Sequence, residues 1–383
     1  MKNKVLLGLS GGVDSAIAAY KLKEQGYDVT CAFMRNWDAL ANNDIQGNST
    51  IMDKICPQEA DYEDAKQVAE KLDLPLLRID FVKEYWDYVF SSFLSEYEKG
   101  RTPNPDILCN KYIKFDQFLQ YAKKHNYDYV ATGHYAQVDH QGDESILLRG
   151  ADENKDQTYF LCQISQDALA HTLFPIGNMT KQEVRIIAKQ LDLNIAEKKD
   201  STGICFIGER NFKAFLQNYL PAKSGNIIDV DTKTILGQHT GVLYYTIGQR
   251  KGLGIGGKGG PWFVVGKNIE KKELYVASGE NHPLLFSTSC LLTNVNWFTK
   301  KKIPRHFKCS AKFRYRQKDH DVEVEIFDND IVKVKYPQGI SSVTVGQETV
   351  FYDCDMCLGG GVIDSVYKDE QDLNLLVRGN YEN

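Results

Sequence analysis

Short apolar runs alternate with amphipathic stretches over the first two hundred residues. Residues 4–9, apolar from Val5 to Leu7, predict a short buried strand, followed by a glycine turn and a helix over 14–25. Strands at 28–34, 76–80 and 129–132 and helices at 60–72, 82–98 and 111–125 continue the alternation. A further helix over 180–191 opens with Thr180 and Glu183, a capping box. Strands that alternate with helices predict an α/β fold with a parallel, doubly wound sheet. The polar, unpatterned segment 40–50 reads as a mobile loop. The character changes after about residue 212. Residues 248–260 are glycine-rich, and from Trp262 onward short alternating strands predict a small β-domain or barrel. The polar stretch after 369 is expected to fray. The expected division is 1–210, 211–284 and 285–368, with a polar tail over 369–383.

Composition changes this picture little. The chain has 383 residues, enough for two or three domains with real cores. Its net charge of −5 means that any nucleic-acid surface must be a local patch. No apolar run is long enough to span a bilayer. Met1 to Lys4 followed by Val5-Leu6-Leu7 has the look of a secretory signal, but Gly11, Gly12 and Asp14 cut the apolar stretch short. The nine cysteines are odd in number and widely spread, which argues against a secreted disulfide framework and for a reducing cytoplasm.

The loop Ser10-Gly11-Gly12-Val13-Asp14-Ser15 follows a strand and opens a helix. Glycines let backbone N–H groups approach an anion closely, and the helix N-terminus adds unpaired donors and a favourable dipole. Ser10 and Ser15 can donate to phosphate oxygens. Asp14 is placed either to hold a Mg²⁺ or to cap the helix. No lysine follows as in the usual P-loop. Two glycines alone would suit a plain strand-turn-helix connection; the full six-residue string points to nucleotide phosphates.

Two cysteines sit in polar, turn-rich settings. Cys109, in Asn104-Pro105-Asp106-Ile107-Leu108-Cys109-Asn110, is expected at a turn just before a helix, where the N-terminus would lower its pKa. Asp106 is near enough in sequence to shuttle a proton. Cys205 lies in Asp200-Ser201-Thr202-Gly203-Ile204-Cys205-Phe206. Cys31, Cys162, Cys290 and Cys309 read as inert buried residues, and Cys56 stays open. Cys354 and Cys357 form a lone C-x-x-C without the second pair a zinc site needs. His134 reads as structural. Residues 300–318 hold nine Lys or Arg and no Asp or Glu, interleaved with Phe307, Phe313 and Tyr315. Such a patch suits salt-dependent RNA binding and stacking on an unpaired base; it equally suits a solvated strand face backed by core aromatics.

The loop Gly8-Leu9-Ser10 to Ser15 and the two cysteine strings, the second extended through Ile207-Gly208, resemble the bacterial tRNA-specific 2-thiouridylases of the ATP-pyrophosphatase superfamily. So do Lys155-Asp156-Gln157-Thr158-Tyr159-Phe160-Leu161 and Tyr245-Thr246-Ile247-Gly248-Gln249-Arg250-Lys251-Gly252-Leu253. The resemblance spans residues 4 to 367. It implies that ATP, with Mg²⁺, adenylates the 2-carbonyl of the wobble uridine in tRNAs for Lys, Glu and Gln. Gly8 to Ser15, Met34 and Gly133 would bind the nucleotide. Cys205 would carry a persulfide received from a cysteine desulfurase or a sulfur-relay protein. Cys109 would release sulfide or enter a transient disulfide with Cys205, and Asp106 would serve as acid/base. Asn104, Pro105 and Asp106 would face the target base. Lys155, Asp156, Gln157, Gln249, Arg250, Lys251, Arg314 and Tyr315 would contact tRNA. A cytoplasmic monomer is expected. The nucleotide loop alone leaves open another adenylating ligase or amidotransferase, or a non-catalytic tRNA-binding protein.

Overall fold

Val5, Leu6 and Leu7 have no exposed surface. Successive side chains of a strand point to opposite faces, so Val5 and Leu7 enter one core and Leu6 another. In the computed structural model this strand, β1 (Lys4–Gly8), is the middle of a five-stranded sheet whose strands all pair in parallel. Helix α1 (Val13–Glu24) leads to β2 (Asp28–Arg35), and α2 (Pro57–Lys71) leads to β3 (Leu76–Asp80). The chain then crosses to the other side of β1 as β4 (Tyr129–Ala131), flanked by a short strand at Thr172–Leu173. The expected doubly wound α/β sheet is therefore present. Its order reverses between β1 and β4, and open sheets of this kind bind ligands in the crevice beyond the carboxyl ends at such a reversal.

The structure describes residues 2–52, 56–142, 144–200, 203–208, 210–221, 223–256, 259–299, 301–328 and 330–382, the last three by backbone only. Ser201 and Thr202 of the second cysteine string, Gly257 and Lys258 of the glycine-rich stretch and Lys300 of the basic stretch lie outside the described residues.

Two long helices differ from expectation in a way that shapes the site. The first runs Val82–Glu84, Tyr85–Phe90 and Ser91–Glu98, its middle segment π-wound. The second begins at Pro105 rather than near 111: Pro105–Cys109 is α-helical, Asn110–Gln117 π-wound and Phe118–Lys124 α-helical. Asn104 caps it, its Oδ1 accepting the Asp106 N–H at 3.1 Å, and Pro105 takes the first helical position, where a missing N–H costs nothing. What looked like a turn before the helix is its first turn.

A four-stranded sheet follows in the order Trp262–Asn268, Glu273–Ser278, Gly225–Asp229, Ile235–His239. Six strands from Phe286–Trp297 to Met356–Lys368 then close into a barrel, the last pairing with the first. The hairpin Ala136–Gln141 and Glu144–Arg149, from the nucleotide-binding half of the chain, adds to the barrel's last strand through Leu148 and Leu147 opposite Met356 and Cys357. Among the described residues no helix is long and apolar enough to cross a membrane.

Two expectations are corrected. The 40–50 loop is pinned: buried Asp44 accepts from Trp37 Nε1 at 3.1 Å and from Arg210 Nε at 2.9 Å, and the Asn211 N–H donates to the Gly47 carbonyl. The tail does not fray after 369 but forms the helix Leu373–Glu382. Leu373 and Val377, one helical turn apart, are buried in the core shared by the middle sheet and the barrel. The polar residues ahead of Leu373 hid this apolar stripe. Leu373→Ala should therefore lower unfolding free energy by about 2 kcal/mol or more, the usual range for a buried leucine. Urea unfolding followed by tryptophan fluorescence measures it, and a loss within roughly 0.5 kcal/mol, as at surface sites, would place Leu373 outside the core.

Candidate active site

The turn after β1 is shaped by close approaches that only glycine permits. Gly11 has φ +76°, and a Cβ there would lie 2.1 Å from the Asp61 carbonyl oxygen. At Gly133, beyond β4, a Cβ would stand 2.7 Å from the Ser15 nitrogen and 2.8 Å from the Asp14 carbonyl carbon. A Cβ at Gly8 would meet the Met34 Cε at 2.9 Å, so Gly8, Met34 and Gly133 all border the loop. Inside it, the Ser10 N–H donates to Ser15 Oγ at 3.1 Å, and that hydroxyl donates to the Gly12 carbonyl at 3.0 Å. Gly12 caps α1 without a side chain, which leaves the first N–H groups directed at the crevice. Leu9 and Val13 are buried and hold the turn from below.

Cations that the local sequence gave no sign of reach this loop from far along the chain. Lys181 Nζ lies 2.8 Å from Asp14 Oδ1 and 2.7 Å from Asp200 Oδ1. Lys155 and Arg185 also hold Asp200, at 2.6 and 3.0 Å. Burial works to raise the Asp200 pKa, but its hydrogen bonds from Lys155 and Lys181 bring it down to about 2. Burial, followed by the charge of Asp14, pushes the Tyr135 hydroxyl up, so it stays protonated and donates to Asp14 Oδ1 at 2.7 Å. Lys198 Nζ reaches the Gly11 carbonyl at 3.0 Å and bridges Asp61 and Asp64.

The two singled-out cysteines meet. Cys109 is fully buried and Cys205 half-buried, and the two thiols lie close enough to shift each other's titration. Asp106 Oδ1 accepts the Cys205 N–H at 3.0 Å, and the Tyr85 hydroxyl donates to the Cys205 carbonyl at 2.8 Å. Lys114, from the π-wound segment, stands 5.6 Å from the Phe206 ring centre, and its charge acts on the Cys205 thiol. The expected lowering of the Cys109 pKa is overturned. Burial raises it well above the usual thiol range, and its hydrogen bond to Cys205 raises it further. The lowered thiol is Cys205, through the hydrogen bond from Cys109 and then the charge of Lys114, which together outweigh burial. Burial also raises Asp106, against the Cys205 N–H and the charge of Lys114, which work to lower it. His134 is buried and held well below its usual pKa by burial and then by Lys114, so its ring is neutral; Nδ1 lies 2.7 Å from Thr132 Oγ1. Lys114, Tyr85 and Tyr135 carried no signal in the sequence.

The other cysteines stand apart from this pair. Burial pushes Cys31, Cys290 and Cys309 each up to about 12. Cys354 is exposed while Cys357 is buried.

The residues expected at tRNA meet at the junction of the three units, and several are committed to protein contacts. Asp156 is buried and accepts from the N–H groups of Gly150 and Thr158, each at 3.2 Å. Gln157 Oε1 accepts the Tyr135 N–H at 2.9 Å. Arg314 Nη2 donates to the Ile247 carbonyl at 2.8 Å and to Thr344 Oγ1 at 2.6 Å, which ties the glycine-rich segment to the barrel. Tyr315 packs on Phe160 with ring centres 4.3 Å apart. Gln249 binds its own turn through the Thr246 N–H and the Lys251 carbonyl, while Arg250 and Lys251 are exposed. The interleaved aromatics of the basic stretch are not base-stacking platforms: Phe313 is fully buried in the barrel, and Phe307 packs edge-on to Trp297. Its charge is partly answered in place, Lys308 by Glu323 at 2.8 Å and Lys312 by Asp319 at 3.7 Å. The aromatic part of the expected face is taken up by packing, while Lys302, Arg316 and Lys318 of the stretch stay exposed, as do Arg250 and Lys251.

Three family models match successive segments of the chain. Residues 3–209 match the tRNA methyl transferase HUP domain, 213–278 the tRNA methyl transferase PRC-barrel domain and 287–363 the aminomethyltransferase beta-barrel domain. The tRNA-specific 2-thiouridylase MnmA of Mycoplasma capricolum is 55% identical over 375 residues, covering 96% of this chain and all of that protein. The protein of the same name from Acholeplasma laidlawii is 56% identical over 372 residues, covering 96% of this chain and 98% of its own. MnmA 1 of Geobacillus kaustophilus is 53% identical over 369 residues, covering 96% and 97%. With such identity sustained over all three units, the chain belongs to the tRNA-specific 2-thiouridylase family.

Proposed function

We propose that this protein is a tRNA-uridine 2-sulfurtransferase that uses ATP to activate a uridine 2-carbonyl and replaces its oxygen with sulfur carried on Cys205. The hydrogen-bonded pair Cys109–Cys205 beside a glycine-built phosphate loop carries this reading. An amine-transferring ligase of the same fold has no use for two such sulfurs.

A carbonyl oxygen is a poor leaving group. Attack of the uridine oxygen on the α-phosphate of ATP releases diphosphate and converts that oxygen into the leaving group of AMP. The Gly8 to Ser15 loop, with the open N–H groups of α1, receives the phosphates; Met34 and Gly133 border the nucleotide. Asp14 would be the residue to help hold a Mg²⁺, whose charge would offset that of the phosphates; in this structure Lys181 neutralises it. Sulfur bound to Cys205 then attacks the activated carbon and AMP departs. Cys109 supplies the second thiol. It attacks the Cys205 sulfur either before transfer, freeing sulfide, or after it, freeing the thiolated base. In both routes the two cysteines end as a disulfide, and a thiol reductant restores them. Asp106, raised by burial, exchanges the proton. Asn104, Pro105 and Asp106 lie on the helix turn that carries Cys109 and border the base. The substrates are the tRNAs for Lys, Glu and Gln, and the sulfur comes from a cysteine desulfurase or a relay protein. Residues 1–210 do the chemistry, and tRNA is held by Lys155 from that unit together with Arg250 and Lys251 of 211–284 and Arg314 and Tyr315 of 285–368. The protein acts as a cytoplasmic monomer.

Incubation with ATP, Mg²⁺, tRNA and a persulfide source should yield AMP and 2-thiouridine, read in nucleoside digests. Cys205→Ser should abolish thiouridine and spare diphosphate release, because adenylation precedes the attack of sulfur. Cys109→Ser should leave the sulfur stranded on Cys205, as a persulfide by the first route or as a disulfide to the base by the second; full thiolation by either variant would rule out the two-cysteine route. Gly133→Ala should weaken ATP binding by about 1–3 kcal/mol, the usual cost of overpacking, because the new methyl displaces Asp14 and Ser15. Calorimetric titration reads this, and unchanged affinity would show that the loop is not the phosphate site.

A further inference from the structure

Lys114 is a half-buried lysine on the helix that carries Cys109. Its ammonium is 3.5 Å from Nε2 of His134 and 5.6 Å from the centre of the Phe206 ring, the residue next to Cys205. Of the groups whose charge acts on it, the Cys205 thiol comes first. An ammonium withdrawn from water needs an anion. His134 offers none, being neutral. The groups that face the ammonium are Cys205, Cys109 and Asp106; Tyr85, from the neighbouring π-wound helix, closes the far side with a neutral hydroxyl. Cys109 is spent as the donor to Cys205, and Asp106 is occupied by the Cys205 N–H.

The position depends on the helix winding. On a straight α-helix, residues five apart point about 140° away from each other. Between Ile113 and Phe118 the hydrogen bond spans five residues instead, and such winding brings positions i and i+5 toward one face. Cys109 and Lys114 are five apart and meet at the same sulfur.

We propose that Lys114 is the counter-cation of the Cys205 sulfur, holding Cys205 as the charged member of the pair and Cys109 as the thiol. This rests on the reading of Cys205 as the persulfide carrier and deepens it. Cys205 is the half-exposed sulfur that a donor can reach, whereas Cys109 is sealed. A cation at Cys205 stabilises the thiolate that accepts sulfur and the persulfide anion that later attacks. It also leaves a proton on Cys109 until transfer begins.

The test is the pH dependence of Cys205 alkylation by iodoacetamide in the full chain, read by peptide mass spectrometry. In the wild type, Cys205 should react before Cys109, with a midpoint below that of a free thiol. Lys114→Met and Lys114→Gln should move this midpoint to higher pH and cut alkylation at neutral pH severalfold. Lys114→Arg, which keeps the charge, should restore much of both. A wild-type Cys205 midpoint in the ordinary thiol range overturns the proposal without any variant. So does a Lys114→Gln profile that superimposes on the wild type. Thiouridine formation by the wild type is followed in parallel. Its absence would sink the sulfur-transfer reading and leave the titration result standing, so the two failures are distinguishable.

Discussion

The 3.0 Å hydrogen bond from the Cys205 N–H to the Asp106 carboxylate is the contact on which the site's assembly turns. It joins the first turn of a helix to a loop nearly a hundred residues away, and both carry a cysteine. The Tyr85 hydroxyl holds the other side of the same peptide through the Cys205 carbonyl. With both backbone groups engaged, the Cys205 sulfur is aimed inward at Cys109 and Lys114. Phe206 adopts φ +66° beside it, a conformation that L side chains rarely take, and the strain is borne where the loop must turn.

Burial sorts the chemistry at this point. A low-dielectric setting penalises every charge, so Cys109, Tyr85 and Asp106 are all pushed toward their neutral forms. Cys205 alone is lowered, by its hydrogen bond from Cys109 and then by the charge of Lys114. The helix dipole, which sequence reasoning credits with activating Cys109, is outweighed here. That sulfur is sealed from solvent, and its proton is already committed to Cys205.

A second charge network runs along the phosphate loop. Asp14, Lys181, Asp200, Lys155 and Arg185 form a continuous chain of ion pairs. It ends five residues before Cys205, so the nucleotide loop and the cysteine loop share one electrostatic frame. Arg314 and Tyr315 do comparable work at the junction of the three units, bridging to Ile247 and Phe160. Their side chains tie the barrel and the middle segment to the nucleotide-binding unit.

The parallel sheet was legible in the chain because its strands are short apolar runs and its helices keep a 3.6-residue period. The phosphate loop was legible because glycines and serines between strand and helix leave few other readings. The two cysteine strings were visible as unusual, and Asn104-Pro105 announced a helix start that was placed six residues too late. Three things needed the tertiary structure. Lys181 and Lys198 reach the loop from the far side of the fold, and local sequence carries no trace of such contacts. Lys114 faces Cys205 because the helix is π-wound, whereas a regular helical period would point it away. Which cysteine bears the charge was settled by burial, a property of packing that residue order alone does not contain.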